Sequence, residues 1–213
     1  MTGIFAPQYY GSVRYYAAMA RCDQAIVDIG MRYDKRFKSV HRCAIVDAQG
    51  PLRLTVPVSK PALKERQPGQ YMPLRWDQVV VSDHGQWWSD HLISLESAYG
   101  RTPYFEFYID RLLPWLRMRE MPITQFDAQI DAEVRSMLHL PTRVEYLDLS
   151  ASGPMPEAQD FRHNQFPDIQ DVPYYQVRMQ RLGFVPNLCI LDLLFNLGPE
   201  AQIVLAQMVR GEK

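Results

Sequence analysis

Residues 3–29, GIFAPQYYGSVRYYAAMARCDQAIVDI, decide the fold. Gly3 to Ala6 is a short apolar run that Pro7 ends, and PQYYG reads as a loop. Ser12 can cap a helix, because its hydroxyl can accept a bond from an otherwise orphan backbone N–H. Val13, Tyr16, Ala17 and Ala20 then recur at i, i+3, i+4 and i+7, so Val13 to Arg21 reads as a helix with one apolar face. Ala25 to Ile29 is a compact β-type run. Strand, loop, helix, strand in so short a span predicts a parallel βαβ unit with a right-handed crossover.

Outward from this unit, the polar stretch RYDKRFKSVHR leads into Cys43 to Val46, then DAQGP, then Leu52 to Val58. The alternation in LRLTVPV puts Leu52, Leu54, Val56 and Val58 inward, and the two runs predict a hairpin. Pro57 marks an edge strand. Residues 59–75 read as a mobile or substrate-covering loop, and Trp76 to Val81 as a further strand. Gln86 to Tyr99, Pro103 to Arg117 and Ile123 to Leu140 read as helices, with Gly100 closing the first and Pro141 the last. TRVEYLDLS alternates and reads as a strand. Residues 150–173 are polar and proline-rich, which predicts a long loop, either a lid or a flexible excursion. Asn187 is placed to cap a helix from Leu188 to Asn196, ended by Gly198, before a last helix begun by Pro199 and Glu200.

The chain has 213 residues, 47% apolar and 22% charged, with a formal net charge of −1. That is ordinary globular composition, and it argues against a generally basic nucleic-acid binder. Arg outnumbers Lys 18 to 5, a balance that mildly favours recognition of phosphate or carboxylate and that codon bias also produces. Cys22, Cys43 and Cys189 are odd in number and far apart, so neither a disulfide framework nor a cysteine zinc site is expected, and a reducing, cytoplasmic setting fits. The start has no apolar signal region, and no apolar run of membrane-spanning length occurs. The expectation is one α/β domain over 1–213, with an α/β part (1–83), a helical part (84–140) and a C-terminal part (141–213). Its mainly parallel central sheet carries an antiparallel hairpin and flanking helices.

There is no GxGxxG, GxxxxGK[ST], HExxH or GxSxG, so no cofactor is assigned. The five histidines make no i, i+4 ligand pair, so no metal site is indicated. In an open parallel sheet, ligands sit outside the carboxyl ends of the strands. The loop Pro7, Gln8, Tyr9, Tyr10 occupies such an end, either as a binding loop or as a rigid aromatic turn. Arg32, Lys35, Arg36, Lys38, His41 and Arg42 crowd one segment after the second strand, either as an anion site or as a solvated loop. Asp28 and Asp34 lie nearby, as a general base or as ion-pair partners. His91 shares a helix face with Trp87 and Leu95, and either packs there or moves protons. Asp192 lies among apolar neighbours and requires a partner, such as an Arg or a helix N-terminus.

Six blocks in order — PQYY with a following YY, VDIG, YDKRFKSVHRCAI, LTVPV, WWSDHLISLESAYGRTPYFEFY and GFVPNLCILDLLFNLGPE — resemble the WbqC-like family of bacterial proteins. The resemblance implies a setting in surface-polysaccharide gene clusters. It carries over onto Pro7, Gln8, Tyr9 and Tyr15, onto Arg36 and Arg42, and onto Trp88, His91 and Tyr99. It also reaches Pro186, Asn187, Asp192, Asn196 and Gly198. The first loop departs from the family's usual pattern at Tyr10, Gly11 and Arg14, His41 stands where Asn is common, and 150–173 differs as well. The expectation is a group transferase acting on a phosphate- or carboxylate-bearing metabolite or an activated sugar. Lys35, Arg36 and Arg42 would bind the anion, Gln8 and Tyr9 would position the reacting group, and His91 would shuttle protons. The alternatives are a binding or assembly protein of the same pathway, with Trp76, Trp87 and Trp88 on an exposed patch, or a nucleotide-binding enzyme. Strand, Gln-containing loop, helix, strand is also how HxGH nucleotidyltransferases begin, though both of that motif's histidines are missing here.

Overall fold

The computed structural model describes residues 1–61, 73–152, 155 and 157–210. Its centre is a parallel four-stranded sheet in the order β7-β2-β1-β8. These are Arg143–Leu147 (β7), Gln24–Asp28 (β2), Thr2–Phe5 (β1) and Ala158–Asp160 (β8). Ile4 pairs with Ile26 on one side and Asp160 on the other, and Ile26 pairs in turn with Glu145. The chain begins in the middle of the sheet and builds outward through β2 to β7. It then returns to add β8 on the far side of β1. The loops after β1 and β8 therefore leave the sheet where the strand order reverses, the place at which open α/β sheets hold ligands.

Between β1 and β2 runs α1 (Val13–Ala20). Ser12 Oγ accepts from the Tyr15 N–H at 3.3 Å, as its sequence position predicts. Ala17, Ala18 and Met19 are wholly buried, and α1 packs against α7 (Ala201–Arg210) and α6 (Ile190–Leu197). Asn187 takes a different role from the expected one. The helix there, α6, spans Ile190–Leu197, and the Asn187 side chain instead accepts from the Arg14 N–H at 3.4 Å, helping to cap α1.

The hairpin forms a sheet of its own, β3 (Arg42–Asp47) against β4 (Gly50–Thr55), antiparallel. Its Ala44 carbonyl accepts from the Cys189 N–H at 2.8 Å, which ties the hairpin to the start of α6. Beyond Pro57 a two-residue β5 (Val58–Ser59) pairs with β6 (Val80–Val81). The expected strand over Trp76–Val81 is thus mostly a 3₁₀ turn, Trp76–Gln78, with the Trp76 ring buried. Helices α2 (Trp87–Tyr99), α3 (Phe105–Leu116) and α4 (Ile123–Met137) form the middle of the chain as expected. A one-turn α5 (Met179–Leu182) follows β8.

Two expected loops are corrected in part. Residues 150–173 carry β8, a strand of the central sheet, rather than a structureless lid. Of 59–75, residues 62–72 lie outside the described residues, while Ser59 is the last residue of β5 and Arg75 bridges to Arg32. The fold is α/β, with a parallel central sheet, a separate antiparallel hairpin and flanking helices.

Candidate functional site

Two hollows open at the carboxyl edge of the sheet. The larger, of about 980 Å³, sits over the ends of β2, β7 and β8. Asp28, at the end of β2, is buried on its floor. Its Oδ1 accepts from the N–H of Gly30 at 3.0 Å and of Leu149 at 3.2 Å, and its Oδ2 from Arg162 Nη1 at 2.8 Å. One carboxylate thus ties together the loops after three strands. Arg162 is also held by Asp160, so its guanidinium stands in a fixed place. A Cβ on Gly30 would lie 1.9 Å from Asp148 Oδ1, so only glycine lets the Asp148 carboxylate reach Arg75 and Ser150. The Ser150 and Arg75 hydrogen bonds pull Asp148 down to about 2.

The lining of this hollow carries Arg32, Lys35, Arg36, Arg75 and Arg162 against Asp28 and Asp34. Arg36 forks onto Asp34 at 2.9–3.2 Å while its side chain remains 85% exposed, and this contact pulls Asp34 down to about 2. Arg32 and Lys35 form no ion pair among the described residues. Arg75 is paired with Asp77 and Asp148 and Arg162 with Asp28 and Asp160, so the cations of the lining that no carboxylate among the described residues holds are Arg32 and Lys35.

The smaller hollow, about 250 Å³, lies beside it at the switch point between β1 and β8. A chain of side chains walls it off. Gln8 Nε2 donates to Asn164 Oδ1 at 2.6 Å, and Asn164 Nδ2 donates to Ser39 Oγ at 3.0 Å. The Tyr9 N–H donates to the Ser39 carbonyl at 3.0 Å. Phe37 and His163 face the larger hollow, and Ser39 and Asn164 the smaller.

Gln8, Tyr9 and Arg42 line the smaller hollow, whereas Lys35 and Arg36 line the larger. The first loop and the basic segment therefore converge at one end of the sheet but divide between two cavities. His91 is buried, 4% exposed, and lines neither. Its Nδ1 meets the Tyr9 hydroxyl at 2.9 Å, with Trp87 edge-on to its ring. Burial pushes His91 down to about 4, against weaker opposing pulls from the Thr55 backbone and Asp90. The imidazole is therefore neutral at pH 7, with one hydrogen bond joining its Nδ1 to the Tyr9 hydroxyl. That hydroxyl points into the core, and burial holds it well above the usual tyrosine range.

Asp192 finds its partners in phenols and an amide rather than an Arg. It accepts from Tyr99 at 2.9 Å, Tyr174 at 2.7 Å and Gln176 at 2.9 Å, while burial raises its carboxyl. Trp76 and Trp87 are buried, and Trp88 is half-buried with the Arg119 guanidinium 3.3 Å from its ring centroid. These three make no exposed apolar patch.

Sequence reasoning missed Arg162, His163 and Asn164, because the strand that positions them is only three residues long. The signal was the cationic and amide run FRHNQ inside an unusually long connection. It also passed over Arg53, the outward residue of a strand read for its inward face, and Arg75.

An open parallel α/β sheet with two hollows at its carboxyl edge defines the class of this protein. The chain belongs to the WbqC-like protein family, whose model matches residues 6–160. The match takes in the loop after β1, the basic segment and the hairpin, and it ends at the last residue of β8. Arg162, Asn164 and the block 183–200 lie beyond it. A search of curated proteins and a search of solved structures each found no match. No helix among the described residues is long and apolar enough to cross a membrane. Among those residues no group of three or more His, Cys, Asp or Glu is placed to hold a metal ion.

Proposed function

We propose that the protein is a cytoplasmic group transferase that binds a phosphate- or carboxylate-bearing metabolite, or an activated sugar, in the larger hollow. The observation that carries this reading is a cavity at the carboxyl ends of three parallel strands, lined by five Arg and Lys side chains of which Arg32 and Lys35 have no ion-pair partner among the described residues. In a group transfer an acceptor nucleophile, such as a hydroxyl that gives up its proton, forms a bond to the transferred group while the bond to the leaving group breaks and its electron pair stays on the leaving group. Fixed cations beside that group stabilise the charge as it develops. Arg162, already oriented by two carboxylates, is preorganised for this role; Arg32 and Lys35 supply cations that no carboxylate among the described residues holds, and Arg36 adds one that Asp34 orients. A volume of about 980 Å³ lies at the upper end of the roughly 300–1,000 Å³ range of small-molecule sites, which suits a sugar phosphate or a nucleotide sugar. The family resemblance supports placing the reaction in cell-envelope polysaccharide synthesis.

Calorimetric titration with inorganic phosphate, glucose 1-phosphate and UDP-glucose tests this. At least one should bind the wild type, and an Arg32→Ala/Lys35→Ala double variant should bind it tenfold or more weakly while melting as the wild type does. Equal affinity in the two proteins contradicts the assignment.

A further inference from the structure

The smaller hollow takes no part in that anion site, yet it has the marks of a binding site in its own right. Arg42 and Arg53 line it, and among the described residues no Asp or Glu does. In the β3–β4 ladder Arg42 pairs with Thr55 and Ala44 with Arg53, so the two guanidinium groups lie diagonally on one face of the hairpin. Arg42 Nε is fixed by Thr55 Oγ1 at 2.8 Å, and Arg53 makes no ion pair among the described residues.

Amides line the other walls. Gln8 and Asn164 hold each other, and Asn187 reaches α1, which leaves Gln8 Oε1 and Asn187 Nδ2 without a protein partner among the described residues. The backbone here is also costly. Five non-glycine residues among those described have left-handed φ, and three of them line this hollow: Tyr10 at 43°, Asn164 at 57° and Asn187 at 51°. Asn tolerates this region, but a bulky aromatic such as Tyr10 adopts it only where the surroundings compel it, and such strain gathers at ligand clamps and active sites.

We infer that the smaller hollow binds a second substrate, a compact hydroxylated oxyanion. Arg42 and Arg53 hold its carboxylate or phosphate, and Gln8 Oε1 and Asn187 Nδ2 hold its hydroxyls, with Asn164 fixing the Gln8 amide. A volume of about 250 Å³ falls just below the usual small-molecule range, so the ligand is smaller than the one in the larger hollow. Only the designation "second substrate" rests on the transferase reading; the binding itself does not.

Titration of L-malate, D-glucuronate and glycerol 3-phosphate into the wild type, Arg53→Ala and the Arg32→Ala/Lys35→Ala variant tests it. Arg53 is an exposed residue of β4, so its replacement should leave the melting midpoint unchanged. At least one probe should bind the wild type, lose tenfold or more in Arg53→Ala, and stay within twofold in the double variant. Preference for a carboxylate or for the phosphate identifies the oxyanion. No binding of any probe, full affinity in Arg53→Ala, or an equal loss in the double variant overturns the inference. Arg53-dependent binding together with no binding of sugar phosphates in the larger hollow removes the transferase reading and leaves this site standing.

Discussion

The side-chain amide of Gln8 donates to Asn164 Oδ1 at 2.6 Å, joining residues 156 positions apart. This bond links the loop after β1 to the loop after β8, the two that diverge at the switch point, and it forms part of the wall between the hollows. Asn164 also sits at φ 57°, where glycine is comfortable and alanine is not. Asn164→Gly should therefore lose only the amide bonds, about 1 kcal/mol for a pair this exposed. Asn164→Ala should lose about 1–2 kcal/mol more through the left-handed backbone. Urea unfolding of both variants checks this, and equal stabilities would show that the backbone there carries no strain.

Stability on the acid side should carry the mark of His91. The unfolded imidazole titrates near 6.5 and the folded one near 4, because burial disfavours its charged form. Between those values the unfolded chain holds the extra proton, so stability falls as pH drops from about 6.5 toward 4. The loss is complete below that window and amounts to about 3 kcal/mol, at roughly 1.36 kcal/mol per pKa unit. Asp127 and Asp192, whose carboxyls burial raises, titrate in the opposite sense, and they do so equally in a His91→Gln variant. The difference between wild-type and His91→Gln stability should therefore shrink steadily across that window. A pH-independent difference would mean that the imidazole is not held neutral in the core.

Removing the Asp192 carboxylate should be severe. Asp192→Ala leaves the Tyr99 and Tyr174 hydroxyls and the Gln176 amide without their shared acceptor in a buried space. The expected cost is about 3–5 kcal/mol, with Asp192→Asn clearly milder because one acceptor oxygen remains. Denaturant midpoints decide between this and a redundant role, in which both variants would cost the same small amount.

Gly198 ends α6 at φ 55°, and a Cβ there would lie 2.5 Å from the Tyr104 ring. Gly198→Ala should cost about 2 kcal/mol or more, from the left-handed backbone and the displaced ring together. A melting midpoint within a degree of the wild type would contradict that packing.

Much of this architecture was legible in the sequence. The β1–α1–β2 unit declares itself through an apolar run, a serine cap and a four-position helical stripe, all local signals. Strand β8 does not, since three residues paired at the sheet edge carry no alternation, and only β1 gives Ala158–Asp160 their strand form. Trp76 is one of the β-forming aromatics, yet its backbone closes a 3₁₀ turn so that the indole can bury. The site divides in the same way. The general rule for parallel sheets points to PQYY, and charge density points to Arg36 and Arg42. That these fall into two separate cavities follows only from tertiary packing, in which the loop after β8 brings His163 to one and Asn164 to the other. Helical spacing puts His91 on the buried side of α2, but its partner Tyr9 lies 82 positions away and only tertiary packing reveals it.

The central claim is that ligand binds over the carboxyl ends of β2, β7 and β8. Mapping backbone amide chemical shifts during a titration with glucose 1-phosphate or UDP-glucose tests it most directly. The account predicts the largest shifts at Gly30–Phe37, Leu149–Ser150 and Arg162–His163. Shifts concentrated on α3 or α7, with that edge of the sheet silent, would contradict it.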